Sequence, residues 1–293
     1  MSALQKCIES AISEATGESF QVAHRKETGG GCINSGCLVT GTDGRRFFIK
    51  YNRLEFQEAF EVEFQGLLAM AETATIRVPR PVAVGRTEDQ AILVMEFLEM
   101  GGSRGGDWRT MGTNLARMHR HSSDRFGWHR DNFIGATPQI NTWQAHWPRF
   151  YAECRLQPQF ERARKRGLRL DQADALLHLL PKFFGHYQPT PSLLHGDLWA
   201  GNAGFMKDGS PVIFDPACYF GDRETDLAMT EMFGGYAPEF YQAYNEEWSL
   251  DEGYRLRKDL YILYHLVNHY NLFGGGYGSQ AESSIASLLA SVS

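Results

Sequence analysis

The chain is predicted to be an α+β protein of two unequal lobes, a small N-terminal antiparallel sheet with helix followed by a larger, mainly helical C-terminal lobe. Three observations carry this. Up to Phe97, short runs of period two alternate with turn signals; beyond it the 3.6-residue period dominates; and the two regimes meet at a glycine-rich stretch, Gly101-Gly102 and Gly105-Gly106. The expected lobes are therefore 1–97 and 98–293. At 293 residues the chain is long enough to bury a large core without staples.

Each element has a local reason. Residues 1–16 put Leu4, Ile8, Ala11, Ile12 and Ala15 on one side of a helix. Strands follow at 20–25, 36–41 and 45–51, the last two joined across Asp43-Gly44, a strong hairpin signal. Between the first two strands lies a glycine-rich tip with Gly29, Gly30, Gly31 and Cys32. A helix over 54–72 is stopped by Val78-Pro79-Arg80-Pro81, and strands at 81–86 and 91–97 flank a polar turn. In the second region helices are expected over 107–121, 142–166, 171–186, 224–233, 238–248, 253–271 and 280–290. Short apolar runs at 192–195 and 211–214 read as strands bracketing a polar loop. The run Gly274 to Gly278 follows a helix rather than a strand, so it reads as a helix terminator and loop.

Composition excludes several classes. With 29 Lys and Arg against 35 Asp and Glu, the net charge of −6 argues against nucleic acid as partner. Five scattered cysteines without a close CxxC pair suggest neither a disulfide framework nor a zinc site. No run of 18 apolar residues predicts a membrane span, and the N-terminus lacks the apolar core of a secretory signal. A cytoplasmic protein is expected, with monomer and homodimer both open.

The chemistry concentrates in His195-Gly196-Asp197-Leu198-Trp199-Ala200-Gly201-Asn202, of pattern H-x-D-x-x-x-x-N, with Asp215 closing the next apolar run. Phosphoryl transfer asks for these groups: a carboxylate to orient and deprotonate the attacking hydroxyl, then an amide oxygen and a second carboxylate to hold Mg²⁺ on the phosphates. Asp197 is the candidate base, and Asn202 and Asp215 the candidate metal ligands. Lys50 ends the run Phe47-Phe48-Ile49-Lys50. Phe56, Phe60, Glu63 and Leu67 are spaced by four, three and four, which puts Glu63 on an apolar helix stripe where a carboxylate is costly unless paired. Lys50 is its suggested partner, an arrangement suited to positioning ATP phosphates. The glycines of the tip could bring bare amides close to a triphosphate. Backbone groups of Glu96 and Leu98 are positioned as candidate adenine contacts.

The order GGGCIN, FFIKYN, FEVEFQGLLAM, VPRP, HGDLWAGN and FDPACYFGDRETDLAMTEMFGG, together with the central FGWHRDNFIGATPQINTWQAHWPRFYAECRLQP, resembles the fructosamine kinase (ketosamine 3-kinase) family, relatives of aminoglycoside and choline phosphotransferases on the protein-kinase-like fold. The resemblance covers nearly the whole chain. It implies ATP-dependent phosphorylation of the 3-hydroxyl of a ketosamine, free or protein-bound, and a role in deglycation. Gly196 stands where protein kinases usually carry Arg, and Asp215-Pro216-Ala217 where they carry DFG, so a Phe-based activation switch is not expected. For the sugar, Trp199 is a candidate stacking surface, the alternative being a core aromatic under the loop. Asn132 and Gln139 are candidates for the substrate mouth, with Asp131, Asn141 and Trp143 beside them. Asp226 and His195 are expected to brace the loop, and Arg223 and Glu224 to form structural ion pairs. Cys32, if it lies over the phosphates, would be a redox-sensitive thiol. Competing readings are a same-fold kinase for another alcohol, a metal-dependent hydrolase using His195, Asp197 and Asp215, and a catalytically silent nucleotide-binding module.

Overall fold

A computed structural model describes residues 1–28, 33–101 and 106–292. In chain order the elements begin with α1 (Ala3–Thr16), β1 (Val22–Thr28), β2 (Ser35–Gly41), β3 (Arg46–Arg53), α2 (Gln57–Glu72), β4 (Pro81–Arg86) and β5 (Gln90–Glu96). Then come α3 (Trp108–His119), β6 (Asn132–Ile134), β7 (Thr137–Gln139), α4 (Trp147–Phe150), a π-helical segment (Tyr151–Leu156), α5 (Gln157–Lys165) and α6 (Ala173–Leu179). The chain closes with β8 (Ser192–Leu194), β9 (Ala203–Phe205), β10 (Pro211–Ile213), β11 (Tyr219–Gly221), α7 (Glu224–Met232), α8 (Pro238–Glu247), α9 (Tyr254–Phe273) and α10 (Tyr277–Val292).

By contacts the chain divides into two compact units, residues 1–107 with 204–215, and residues 108–203 with 216–293. The first contains all of the expected small lobe, together with residues 98–107 and a hairpin borrowed from much later in the sequence.

In the first unit five strands form an antiparallel sheet of order β1-β2-β3-β5-β4. Ser2 caps α1 by accepting from the Gln5 amide at 3.1 Å, and Gly17, at φ 71°, ends it. Leu4, Ile8 and Ile12 recur at helical spacing and pack on Cys37, Val39, Phe47, Ile49, Ile92 and Val94, the side chains of one sheet face. Alternation along β3 therefore sends Phe48 and Lys50 to the opposite face. There Lys50 sits in register with Leu93, and α2 packs against β4 and β5. With helices on both sides, residues 91–95 are all buried. The strand expected from Phe20 begins two residues later, because Phe20 turns into the core and meets Phe47 edge-on at 5.2 Å. The helix expected from Leu54 opens with a 3₁₀ turn, Leu54–Phe56.

The borrowed hairpin pairs β9 with β10. Its tip is set by Asp208, which accepts from the Ser210 amide and hydroxyl at 2.9 and 2.6 Å, and by Gly209 at φ 85°. Backbone bonds tie it to this unit: Gly101 N–H to the Phe205 carbonyl at 2.8 Å, and Ile213 N–H to the Arg77 carbonyl at 3.0 Å. Glu99 adds ion pairs to Arg46 at 2.7 Å and Lys207 at 3.1 Å. The apolar run at 211–214 is the strand expected, and it delivers Asp215 to the first unit.

The second unit is mainly helical. Its core is aromatic: Trp147, Phe150, Tyr151 and Tyr261 are fully buried, and the Trp147 indole donates to the Tyr261 hydroxyl at 3.0 Å. The helix expected over 142–166 starts only at Trp147, with Pro148 in its first turn, and contains the π segment. The β6–β7 hairpin and β11, which pairs with β8, were not expected; strands of three residues carry no readable period. Gly274 and Gly275, at φ 71° and 65°, terminate α9 as expected, whereas Gly278 lies inside α10.

Candidate active site

In the first unit three charged groups meet. Lys50 Nζ lies 2.6 Å from Glu63 Oε1 and 2.5 Å from Asp215 Oδ1. Glu63 belongs to the α2 face that buries Phe60, Gly66, Leu67 and Met70, as its spacing required. The Lys50 and Glu63 side chains are 9% and 13% exposed, and that of Asp215 is 41% exposed. Burial alone would depress the Lys50 ammonium; the charges of Asp215 and Glu63 outweigh it and hold the group above its ordinary range. Burial pushes the Glu63 carboxyl up, Lys50 opposing this and Asp215 adding to it. Asp215 adopts φ 60°, a left-handed conformation that costs a non-glycine residue on the order of 1 kcal/mol and needs the surrounding structure to hold it.

In the second unit the loop after β8 is built around one buried carboxylate. Asp226, in the first turn of α7, accepts from the His195 amide at 2.8 Å and the Gly196 amide at 2.8 Å. It also accepts from His119 Nε2 at 3.1 Å. His119 Nδ1 meets the Tyr244 hydroxyl at 2.7 Å, and Arg223 donates to the same hydroxyl at 3.2 Å. Burial lowers the His119 pKa, so the ring is neutral; with a carboxylate at Nε2, that nitrogen carries the proton and Nδ1 accepts from Tyr244. For Asp226, burial would raise the pKa, but the bonds from His119 and the Gly196 amide win and lower it. Asp226 therefore stays ionised and pins two successive loop amides.

Asp197 follows that pinned pair. Its amide donates to His195 Nδ1 at 3.2 Å. Asn202 Nδ2 donates to the Asp197 carbonyl at 2.9 Å and to Oδ2 at 3.2 Å, which orients the amide oxygen away from Asp197. Gly196 is required twice over: its φ is 82°, and a Cβ there would come within 2.2 Å of the Ala217 carbonyl oxygen.

The other expected site residues fall as follows. Gly29, Gly30, Gly31 and Cys32 lie outside the described residues. Glu96 donates its amide to the Arg80 carbonyl at 2.8 Å and pairs its carboxylate with Arg77; Leu98 is buried. Trp199, within the loop, is 37% exposed. Asn132 and Gln139, expected at the substrate mouth, are instead 4% and 2% exposed. Asn132 donates to the Cys218 carbonyl at 2.7 Å, while Gln139 donates to the Ala217 carbonyl at 3.2 Å and accepts from Tyr264 at 2.8 Å. Their amides are consumed in holding the chain that in turn donates to the loop, Ala217 N–H to the His195 carbonyl at 2.8 Å. Glu224 makes the structural ion pair expected of it, bidentate with Arg257 at 2.7 and 2.9 Å, whereas Arg223 donates to the Trp248 and Ser249 carbonyls at 2.9 and 2.6 Å.

Sequence reasoning missed His119, Tyr244 and Arg155. A neutral histidine on an apolar helix face carries no sequence mark. Arg155, wholly buried, stacks on Tyr219 at 3.8 Å and bonds Asn141 at 2.8 Å, partners no local pattern announces.

Among the described residues no group of three His, Cys, Asp or Glu side chains forms a metal site by itself. Asp215 in the first unit carries a carboxylate and Asn202 in the second an amide oxygen, each a hard donor of the kind Mg²⁺ takes beside its waters and phosphate.

The family model described as fructosamine kinase matches residues 4–291. A Synechocystis protein named as a probable ketoamine kinase is 46% identical over 95% of this chain and 94% of its own. The chloroplastic protein-ribulosamine 3-kinase of Arabidopsis thaliana is 43% identical over 92% of this chain and 83% of its own. A solved structure from Haemophilus somnus 129PT, carrying a provisional fructosamine-3-kinase assignment, is 29% identical, covers 97% of each chain and has a TM-score of 0.90.

Proposed function

The chain belongs to the fructosamine kinase family, and from that premise we propose that it transfers the γ-phosphoryl group of ATP to the 3-hydroxyl of ketosamines. The observation that carries this reading is the Lys50 ammonium held between buried Glu63 and the more exposed Asp215, the pairing that positions a lysine for phosphate. Asp197 orients the acceptor hydroxyl and takes its proton. Lys50, fixed by Glu63, binds the non-transferring phosphates. The backbone of Glu96 and Leu98 meets the adenine edge. Asp215 and Asn202 are the proposed Mg²⁺ ligands, and the ion, when bound, neutralises charge on the phosphate oxygens.

Phosphorylation at the 3-position makes the adduct prone to eliminate and release its amine, which is the deglycation role. We further assign the protein to the cytoplasm. The described cysteines Cys7, Cys37, Cys154 and Cys218 are free thiols, which fits a reducing compartment, and no helix among the described residues is long and apolar enough to cross a membrane. The net charge of −6 speaks against nucleic acid as a partner.

The test is ADP release with synthetic fructosamines and ribulosamines beside an aminoglycoside and choline, followed by NMR location of the phosphate. Turnover confined to ketosamines, with phosphate on O3, is expected. Preferred turnover of the aminoglycoside or choline would replace this reading with a kinase for another alcohol.

A further inference from the structure

Three large hydrophobic side chains of the second unit are exposed in sequence along one surface. Trp199, two residues after Asp197, meets Phe233 edge-on at 5.9 Å; Phe233 meets His269 at 5.3 Å; and His269 meets Phe273 at 5.8 Å and Tyr277 at 5.1 Å. Phe233 is 41% exposed and Phe273 54%. Among the described residues, the aromatic members of the exposed large hydrophobics are Trp199, Phe233 and Phe273, all on this ridge.

The backbone holds these rings outward. Phe233 directly follows α7 and Phe273 ends α9, and each is followed by two glycines of positive φ, Gly234 and Gly235 at 98° and 76°, Gly274 and Gly275 at 71° and 65°. The chain turns away at once and leaves the ring at the surface. Trp199 is fixed from beneath: its carbonyl accepts from Tyr236 at 3.3 Å, and its ring fills the space where a Cβ on Gly201 would come within 2.2 Å. The ridge carries no charge. His269 gives its Nδ1 proton to the His265 carbonyl at 2.7 Å, and burial lowers its pKa.

A ketosamine bears its amine on C1, two carbons from the hydroxyl that Asp197 addresses, so the substituent on nitrogen lies within a few bonds of the reacting oxygen. We propose that this ridge receives the substituent carried by the ketosamine nitrogen and gives the enzyme a preference for adducts of aromatic or long aliphatic amines. The proposal rests on the function proposed above. Rings of this kind stack on apolar and aromatic groups for roughly a two- to tenfold gain in affinity each.

Fructose adducts of methylamine, hexylamine, benzylamine and β-alanine test it through kcat/KM. The benzylamine and hexylamine adducts should exceed the methylamine adduct by about tenfold, with the acidic β-alanine adduct gaining nothing. Phe233→Ala and Phe273→Ala should each reduce the benzylamine-to-methylamine ratio about two- to tenfold, and Phe233→Tyr should retain it. A wild-type ratio near one, or a ratio unchanged in both alanine variants, overturns the proposal. So does loss of a dimer in sedimentation by those variants with the ratio intact, because the ridge would then cover a second copy. Failure to phosphorylate any of the four adducts would sink the functional reading itself; equal turnover of all four would sink only the ridge.

Discussion

Replacing Lys50 by methionine keeps most of the aliphatic stem and removes the positive charge that bridges Glu63 and Asp215. Removing one partner of a buried pair costs about 3–5 kcal/mol because the other charge is left uncompensated. Here the loss has a ceiling. Glu63 can take up a proton instead, which from an ordinary carboxylate pKa costs about 3.7 kcal/mol at pH 7 and about 1 kcal/mol at pH 5. Asp215, with a 41% exposed side chain, can turn to water and adds little. Lys50→Met should therefore lower Tm relative to wild type by about 6–12 °C at pH 7 and by only a few degrees at pH 5. Lys50→Met/Glu63→Leu should recover most of the loss at pH 7, since an apolar pair replaces the ion pair. Thermal unfolding followed by circular dichroism at the two pH values measures all of this. A Lys50→Met variant as stable as wild type at pH 7, equally destabilised at both pH values, or not rescued by Glu63→Leu would refute the reasoning.

Two further predictions concern the second unit. Asp226→Asn leaves one oxygen to serve three donors and turns an N–H₂ toward a buried N–H, so kcat should fall by at least tenfold and Tm should drop by several degrees, with nucleotide Kd nearly unchanged; steady-state kinetics with calorimetry checks this. His265, buried with its Nδ1 lacking a hydrogen-bond partner, has its pKa lowered to about 3 by burial. The unfolded chain alone takes the proton between about 6.5 and 3, so this stability is complete above pH 6.5 and is lost as pH falls, about 2 kcal/mol between pH 7 and pH 5. Glu224, pushed up to about 7 by burial and the charge of Asp222, has the opposite slope. The quantity to measure is thus the difference in acid sensitivity between wild type and His265→Asn in urea unfolding, and equal sensitivity would count against it.

How much could be read from the chain follows from how local each cause is. The Lys50–Glu63 pair was legible because a carboxylate on an apolar helix stripe demands a cation, and strand alternation put Lys50 on the face covered by α2. Gly196 and Asp226 were legible as parts of a loop and a helix start, though the steric and hydrogen-bonding reasons emerged only with the Ala217 carbonyl and the two amides in place. The location of Asp215 was not legible. It depends on a hairpin of three-residue strands bonding to Arg77 and Gly101, contacts more than a hundred residues away in sequence. Asn132 and Gln139 misled for a similar reason: polar residues in a loop read as solvated, and only the Cys218 and Ala217 carbonyls, 86 and 78 residues distant, make them interior.

Asp197→Asn puts the central assignment to its most direct test. Wild type and variant are compared in turnover of a fructosamine with ATP and Mg²⁺, and in nucleotide binding by calorimetry. An unchanged nucleotide Kd and a kcat lower by about 10²–10⁴, the range for loss of a general base, are expected. Near-normal turnover in a folded variant would contradict that assignment.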